Sequence, residues 1–439
     1  MTAHGETARR LVHFGMGGLA FVLPYLTPVQ AACAAGAAVV FNLLLLPRVG
    51  PSLFRRGERD SPWRSGVVIY PVTVLLLVLL FRRHMEIAGA AWAILAAGDS
   101  AAGFIGGSLG RTRIPWNRSK TAEGSCAFAV AAFVFSWAVL VWMGRRPLEA
   151  AFLASATSLF AAFMESLPWR LDDNLTVPIL SAIFLAGLVR VDLERLVRAA
   201  PELWRSLLLG ATINLILAIL FRRSGAVDRS GMIAGFLVGV LTFTFASWQG
   251  FLVLIAFFVL GSASTRLGLR RKQRLGIAQE KKGARSARHA LANCGVAVYL
   301  AFLVAAAASP DVFRLALVCA YATAAFDTVS SEIGRAYGGR PVLITTLRRV
   351  PAGTNGAVSW LGTLAGIAAS AAVCGVAVAA GFLEGRFTGV VLAAAFIGST
   401  ADSVLGATLE SRGFIDNEAV NFSNTLVGSL SGIGLLALL

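Results

Sequence analysis

Histidine, cysteine and charge are scarce in this chain, and each shortage narrows what it can be. Only four histidines and five cysteines occur in 439 residues. None falls in a CxxC or HExxH spacing, which excludes a disulfide framework and a zinc centre. Charged residues supply 14% of the sequence and hydrophobic ones 57%, far from the roughly 25% charge of soluble domains. No GxxxxGK[ST] loop is present and no GxGxxG follows a strand. A nucleotide would therefore be held by something other than a P-loop or Rossmann module. Acidic residues are few as well, 23 against 39 Lys and Arg, for a net charge of +16. That excess comes without an aromatic–basic or zinc module, so nucleic acid is not the partner.

What is present is long and apolar. Runs of roughly 16–22 apolar residues recur from Leu11 to Leu439, close to the ~20 that cross a bilayer. The fold class expected is all-α, a polytopic transmembrane helical protein of about 15 spans in two related halves. The spans begin near Leu11, Gln30, Gly66, Ile87, Ala122, Glu149 and Leu175, then near Ser206, Gly231, Gly250, Ala290, Val312, Gly356, Thr388 and Thr425. A soluble fold would need as many helices apolar on every side, more than one core can bury.

With the Asp99 end facing the cytoplasm, 29 of the 39 Lys and Arg residues fall in cytoplasmic loops, nine of them between Arg266 and Arg288. Such a bias sets orientation. It predicts a multi-pass protein of a bacterial inner membrane with its N-terminus inside. Arg9 and Arg10 precede the first run as they would in a signal peptide, but with so many spans following it reads as a retained helix.

The stretch AILAAGDSAAGFIGGSLGR runs apolar residues into Asp99, and AYATAAFDTVSSEIGRAYGGR runs them into Asp327. Ile105-Gly106 and Ile333-Gly334 follow at the same offset, and each copy then enters a basic loop (111–125 and 340–359). Glu165-Ser166-Leu167 before Asp172-Asp173-Asn174 finds a looser echo in Asp402-Ser403-Val404 before Asn417, Asn421 and Asn424. The repeat divides the chain into domains at 1–200 and 201–439. The join, 191–206, is polar enough to lie along the outer interface.

On a helix, Asp99, Ala102, Gly103 and Gly106 share one face, as do Asp327, Ser330, Ser331 and Gly334. Small residues alone would mean close helix packing. The aspartates point further, because an intramembrane carboxylate costs several kcal/mol unless it has a partner. A simple ion pair needs one cation. Here Arg111, Arg113, Arg118 and Lys120 surround one copy, and Arg335, Arg340, Arg348 and Arg349 the other. Carboxylates holding Mg²⁺, with basic side chains and free N–H groups holding a polyphosphate, would use them all. His13, near a helix start, reads on its own as a structural hydrogen-bonding residue.

The run GDSAAGFIGGSLGR followed by SKTAEG resembles the membrane CTP-using superfamily of dolichol kinases, phytol kinases and CDP-lipid synthases. Asp99, Gly103, Gly106, Lys120, Thr121, Glu123 and Gly124 sit on that motif. RRLVHFGMGG (9–18) and ESLPWRLDDNLTVP (165–178) are most similar to phytol kinase, and they bring His13 into consideration as a functional group. DTVSSEIG (327–334), VPAGTNGAVS (350–359), DSVLGATLE (402–410) and NEAVNFSNT (417–425) resemble the family containing plant phytyl-phosphate kinase, and RSARHALANCG (285–295) does so more loosely.

The resemblance implies a bifunctional kinase. The first half would move the γ-phosphoryl group of CTP to an isoprenoid alcohol such as phytol. Either Asp99 or Asp173 would act as base, the other helping to hold Mg²⁺ together with Asp172. Arg118 and Lys120 would stabilise the transferred group, while Thr121, Glu123, Gly124 and Asn174 shape the nucleotide site. The second half would phosphorylate the monophosphate, which is already ionised and requires no base. There Arg348 and Arg349 would cancel charge, Asp327 would be the catalytic carboxylate, Asp327, Glu332 or Asp402 would hold the metal, and Gly353, Thr354, Asn355 and Asn421 would cradle phosphates. Partners are then the lipid bilayer, the isoprenoid alcohol and its phosphate, and a nucleoside triphosphate, with a homo-oligomer left open. Two rivals remain: cytidylyl transfer yielding a CDP-lipid, since SKTAEG is shared with such enzymes, and a transporter with repeated halves.

Overall fold

Ten helices among the described residues are long and apolar enough to cross a bilayer. The computed structural model describes residues 3–50, 54, 63, 65–169, 171–274 and 285–439, so residues 275–284 of the basic loop lie outside the described residues. The chain is an all-α polytopic membrane protein with two small β-hairpins. Five of the expected spans do not stand as separate helices of that length. The run from Leu11 breaks into a helix Ala3–Gly17 and a tight 3₁₀ segment Gly18–Tyr25 containing Pro24. Gly66–Leu80 and Asp173–Leu188 are shorter apolar helices. The runs from Gly231 and Gly250 meet within Arg229–Arg266 at Ser247, whose backbone (φ 61°, ψ −178°) is not helical, so they are two helices in succession that count once among the ten. The helix Asn417–Leu436 carries too many polar residues in its first half.

The chain divides into two units, Met1–Val189 and Arg190–Leu439. Residues 193–206 are continuous with the span that follows, as one 31-residue helix Leu193–Arg223 whose N-terminus Asp192 caps.

Each unit is organised around its aspartate-bearing helix. Met85–Ser108 and Pro310–Tyr337 are both buried over 78% of their most apolar window, against 11–56% for the other eight. The cause is composition. Every residue from Ile87 to Gly98, and from Leu315 to Asp327, is buried. Alanine is the commonest residue in both stretches, six of twelve in the first and five of thirteen in the second, so neighbouring helices approach closely.

The next helix crosses each central helix at a pair of glycines. A Cβ on Gly124 would stand 3.2 Å from the Gly106 Cα, and one on Gly362 would stand 3.3 Å from the Gly334 Cα. Between the crossing helices lies a hairpin in each unit. Arg113–Ile114 pairs antiparallel with Asn117–Thr121, and Val342–Leu343 pairs antiparallel with Ala357–Val358. Each hairpin ends on a helix cap. The Thr121 hydroxyl accepts the Gly124 N–H at 3.2 Å, and the Ser359 hydroxyl accepts the Gly362 N–H at 3.2 Å.

Candidate functional site

In the first unit, His13, Asp99, Lys120, Asp172, Asp173 and Asn174 meet at one cavity of about 990 Å³. They arrive from four different places in the chain: the first helix, the end of the central helix, the hairpin and the start of Asp173–Leu188. Arg9 and Arg10 line the same end, while Ala35, Ala38, Val74 and Val78 line an apolar wall beyond it. The cavity therefore has a polar head and an apolar body.

The polar groups are held by specific bonds. Lys120 ion-pairs with buried Glu165, and donates to Asp173 Oδ2 at 2.9 Å. Burial alone lowers the Lys120 ammonium, but Asp173 and Glu165 outweigh it and hold it above its ordinary range. Asp172 caps its helix, with Oδ1 accepting from the Asn174 N–H at 2.9 Å and from Nδ2 at 2.7 Å. Arg10 donates to the Gly103 carbonyl at 2.6 Å and fixes the first helix against the central one.

The His13 ring is half-buried, and its Nε2 is a buried atom with no hydrogen-bond partner among the described residues. That nitrogen stands 3.9 Å from Asp99 Oδ2, and the ring packs 4.5 Å from the Tyr70 ring.

The rest of the motif lies beside the cavity. Gly106, Thr121 and Gly124 form the helix crossing and its cap. Glu123 accepts from the Thr112 N–H at 3.0 Å and closes the base of the hairpin. Arg118 is exposed on the hairpin and does not line the cavity.

In the second unit, Asp327, Glu332, Gly353, Thr354, Asn355, Asp402 and Asn421 share a more polar cavity of about 610 Å³. The Asp327 and Asp402 carboxyl groups are neighbours at this cavity, and Asp402 Oδ1 accepts from Asn424 Nδ2 at 2.9 Å. Glu332 ion-pairs with Lys272, both almost wholly buried. Arg348 and Arg349 are exposed on the hairpin and do not line this cavity, whereas Arg285 and Arg335 do.

Sequence reasoning missed Tyr70, Trp92 and Lys272. Trp92 Nε1 donates to the Tyr70 hydroxyl at 2.6 Å inside the membrane-spanning region. An indole N–H only donates, so the Tyr70 oxygen is the acceptor and its own O–H is left to donate. The available signal was a tyrosine in the middle of the apolar run VVIYPV.

Comparison with known proteins follows the same lines. The family model described as integral membrane protein DUF92 matches residues 212–429. The protein named VTE6, chloroplastic, of Arabidopsis thaliana is 34% identical over 252 residues, 56% of this chain and 75% of that protein. An uncharacterized membrane protein of Synechocystis is 40% identical over 205 residues, 46% of this chain and 79% of its own. A probable phytol kinase 3, chloroplastic, of Glycine max is 30% identical over 195 residues, 40% of this chain and 60% of its own. No solved structure matches the chain. With relatives of this identity covered over most of their length, the chain belongs to the DUF92 family of integral membrane proteins.

Proposed function

We propose that this chain is a membrane kinase of isoprenoid alcohols working in two steps, with CTP as donor and both sites on the cytoplasmic side. The first unit phosphorylates the alcohol, and the second extends the monophosphate to the diphosphate. A relative named as a probable phytol kinase supports the reaction class. The observation that carries the reading is the first cavity, where a bare imidazole nitrogen and several carboxylates stand at the head of an apolar passage.

In the first unit the alcohol lies with its tail along Val74 and Val78 and its hydroxyl against His13. Nε2 accepts the hydroxyl proton as the alcohol oxygen bonds the γ-phosphorus. The bond from that phosphorus to the β,γ-bridging oxygen breaks, and the nucleoside diphosphate leaves. Asp99 steadies the imidazolium, and Lys120 keeps Glu165 and Asp173 in place.

In the second unit the nucleophile is a phosphate oxygen, ionised above a second pKa near about 6. No base is required there, and the Asp327–Asp402 pair suits charge control instead. Among the described residues no three His, Cys, Asp or Glu side chains are arranged to hold a metal ion by themselves. Magnesium needs fewer, one or two carboxylates together with phosphate oxygens. Asp99 and Asp172 in one unit, and Asp327 and Asp402 in the other, are the oxygen donors that would hold it, and it would offset the triphosphate charge.

Incubation with phytol and γ-labelled CTP is expected to place label in the lipid. Label found only in pyrophosphate would mean cytidylyl transfer and would overturn the kinase reading. Asp99→Asn is expected to stop monophosphate formation, and Asp327→Asn diphosphate formation alone. If either substitution stops both steps, the division of labour is wrong.

A further inference from the structure

Behind the polar cavity of the second unit lies a small apolar pocket of about 80 Å³, walled by Leu217, Phe221, Phe251, Leu254 and Phe258. The two spaces have Arg285, Ser286, His289 and Asn293 in common. Arg285 is thus a residue of the wall between them, and its setting is unusual.

Its backbone is pinned. The Arg285 N–H donates to the Ala226 carbonyl at 3.1 Å, and its carbonyl accepts from the Asp228 N–H at 3.1 Å. Gly231 is required beneath it, since a Cβ there would stand 2.0 Å from the Arg285 oxygen. The guanidinium lies 5.2 Å from the Phe257 ring centroid and 5.5 Å from that of Phe258. Gly261 leaves it room, because a Cβ there would meet Nη2 at 2.1 Å.

Among the described residues no carboxylate lies within salt-bridge reach of Arg285. Its neighbours differ: Arg288 donates to Asp416 at 2.6 Å and Glu418 at 3.3 Å, and Lys272 holds Glu332. A fixed guanidinium on aromatic faces, with five donors and no ion-pair partner among the described residues, is a site for a carboxylate or phosphate. The apolar pocket on its far side selects the amphiphilic kind.

We propose that Arg285 binds the phosphate of an isoprenoid monophosphate whose first carbons enter this apolar pocket. The inference rests on reading the second unit as one that takes such a monophosphate, and it names the residue that recognises it. Ser286 and Asn293 flank the same head. A pocket of about 80 Å³ seats only the carbons next to the phosphate. The remainder of the chain then runs along the lipid-facing side of Leu193–Arg223, where Ile216 and Leu220 are exposed. The second unit would read the head of its substrate and leave the tail to the bilayer.

The test uses the full chain in lipid nanodiscs with geranylgeranyl monophosphate as probe, and geranylgeraniol, inorganic phosphate and phosphatidate as comparators. The monophosphate is expected to bind at least about tenfold tighter than the alcohol, and Arg285→Gln to remove that preference. Arg285→Lys, retaining charge without the fork, is expected to keep part of it. Gly235 lines the apolar pocket with open space where a Cβ would go. Gly235→Leu is therefore expected to fold and to weaken the prenyl phosphate selectively. It keeps the test decisive if Arg285→Gln does not fold.

Unchanged binding in Arg285→Gln or in Gly235→Leu overturns the proposal. So does equal competition by inorganic phosphate, which would mark a free-phosphate site, or by phosphatidate, which would mark a bilayer headgroup site. Monophosphate binding as expected without nucleotide turnover would sink the kinase reading and leave the Arg285 site standing. Turnover that persists with Arg285 irrelevant would do the reverse.

Discussion

Each unit carries an aspartate on its most buried helix and gives it a different neighbour. Asp99 has the bare His13 nitrogen at 3.9 Å, while Asp327 meets a second carboxyl, Asp402. The helix crossings beside them show what the two units share. In the first, the Phe128 ring lies over Gly98; in the second, the ring is Phe326 and the glycine is Gly366 on the crossing helix. The ring has changed helices and the slot has stayed. What both aspartates depend on is therefore the distance between two helices, and several residue choices satisfy it. The groups facing the ligand are free to diverge, and they have: a base beside an alcohol in one unit, a carboxyl pair beside an anion in the other.

The sharpest way to break that contrast is at His13. His13→Gln keeps a polar side chain of similar reach and removes the basic nitrogen. Monophosphate formation is expected to fall about 10²–10⁴-fold, with diphosphate formation from supplied monophosphate unchanged. Product analysis by mass spectrometry reads both. An equal loss in the two steps would mean that His13 supports the fold rather than the chemistry.

Much of this is legible in the sequence. The two aspartates, their glycine faces and the hairpin loops after them were visible because spacing along one helix is set by the chain itself. Which arginines turn inward was not. Arg348 and Arg349 follow Asp327 in sequence, yet they sit exposed on the hairpin, and the cavity takes Arg285 and Arg335. A hairpin can point either strand's side chains to solvent, and nothing local decides it. Glu332 looked like a metal ligand because Lys272, its partner, lies 60 positions away. The expected fifteen spans exceed the ten long apolar helices among the described residues for a similar reason. Hydropathy records how apolar a run is, and a kink at Ser247 or a proline at position 24 changes the helices without changing that record.

The ring exchange gives the next test. Gly366→Phe alone would force two rings into one slot, and Phe326→Gly alone would leave a void where van der Waals packing holds the helices. Together they recreate the arrangement of the first unit. A double-mutant cycle on thermal unfolding in detergent is expected to show coupling of about 1–3 kcal/mol in favour of the pair. Simple additivity of the two losses would mean that the slots are not equivalent and that the repeat is one of sequence only.

The smallest effect concerns tail length, and it bears on both cavities at once. The first cavity encloses about 990 Å³ and continues past its polar head along Ala38 and Val78, so much of an alcohol's chain lies inside protein. Binding there gains with each enclosed carbon, and a bulky side chain in the wall penalises long tails selectively. Ala38→Phe is expected to lower kcat/KM for a C20 alcohol about tenfold relative to a C10 alcohol. The second unit encloses only the carbons nearest the phosphate, so its rates with C10 and C20 monophosphates should agree within about threefold. Equal discrimination in both steps would place the tail of the second substrate inside the protein too, and the contrast between a site that reads the body of its lipid and one that reads the head would be lost.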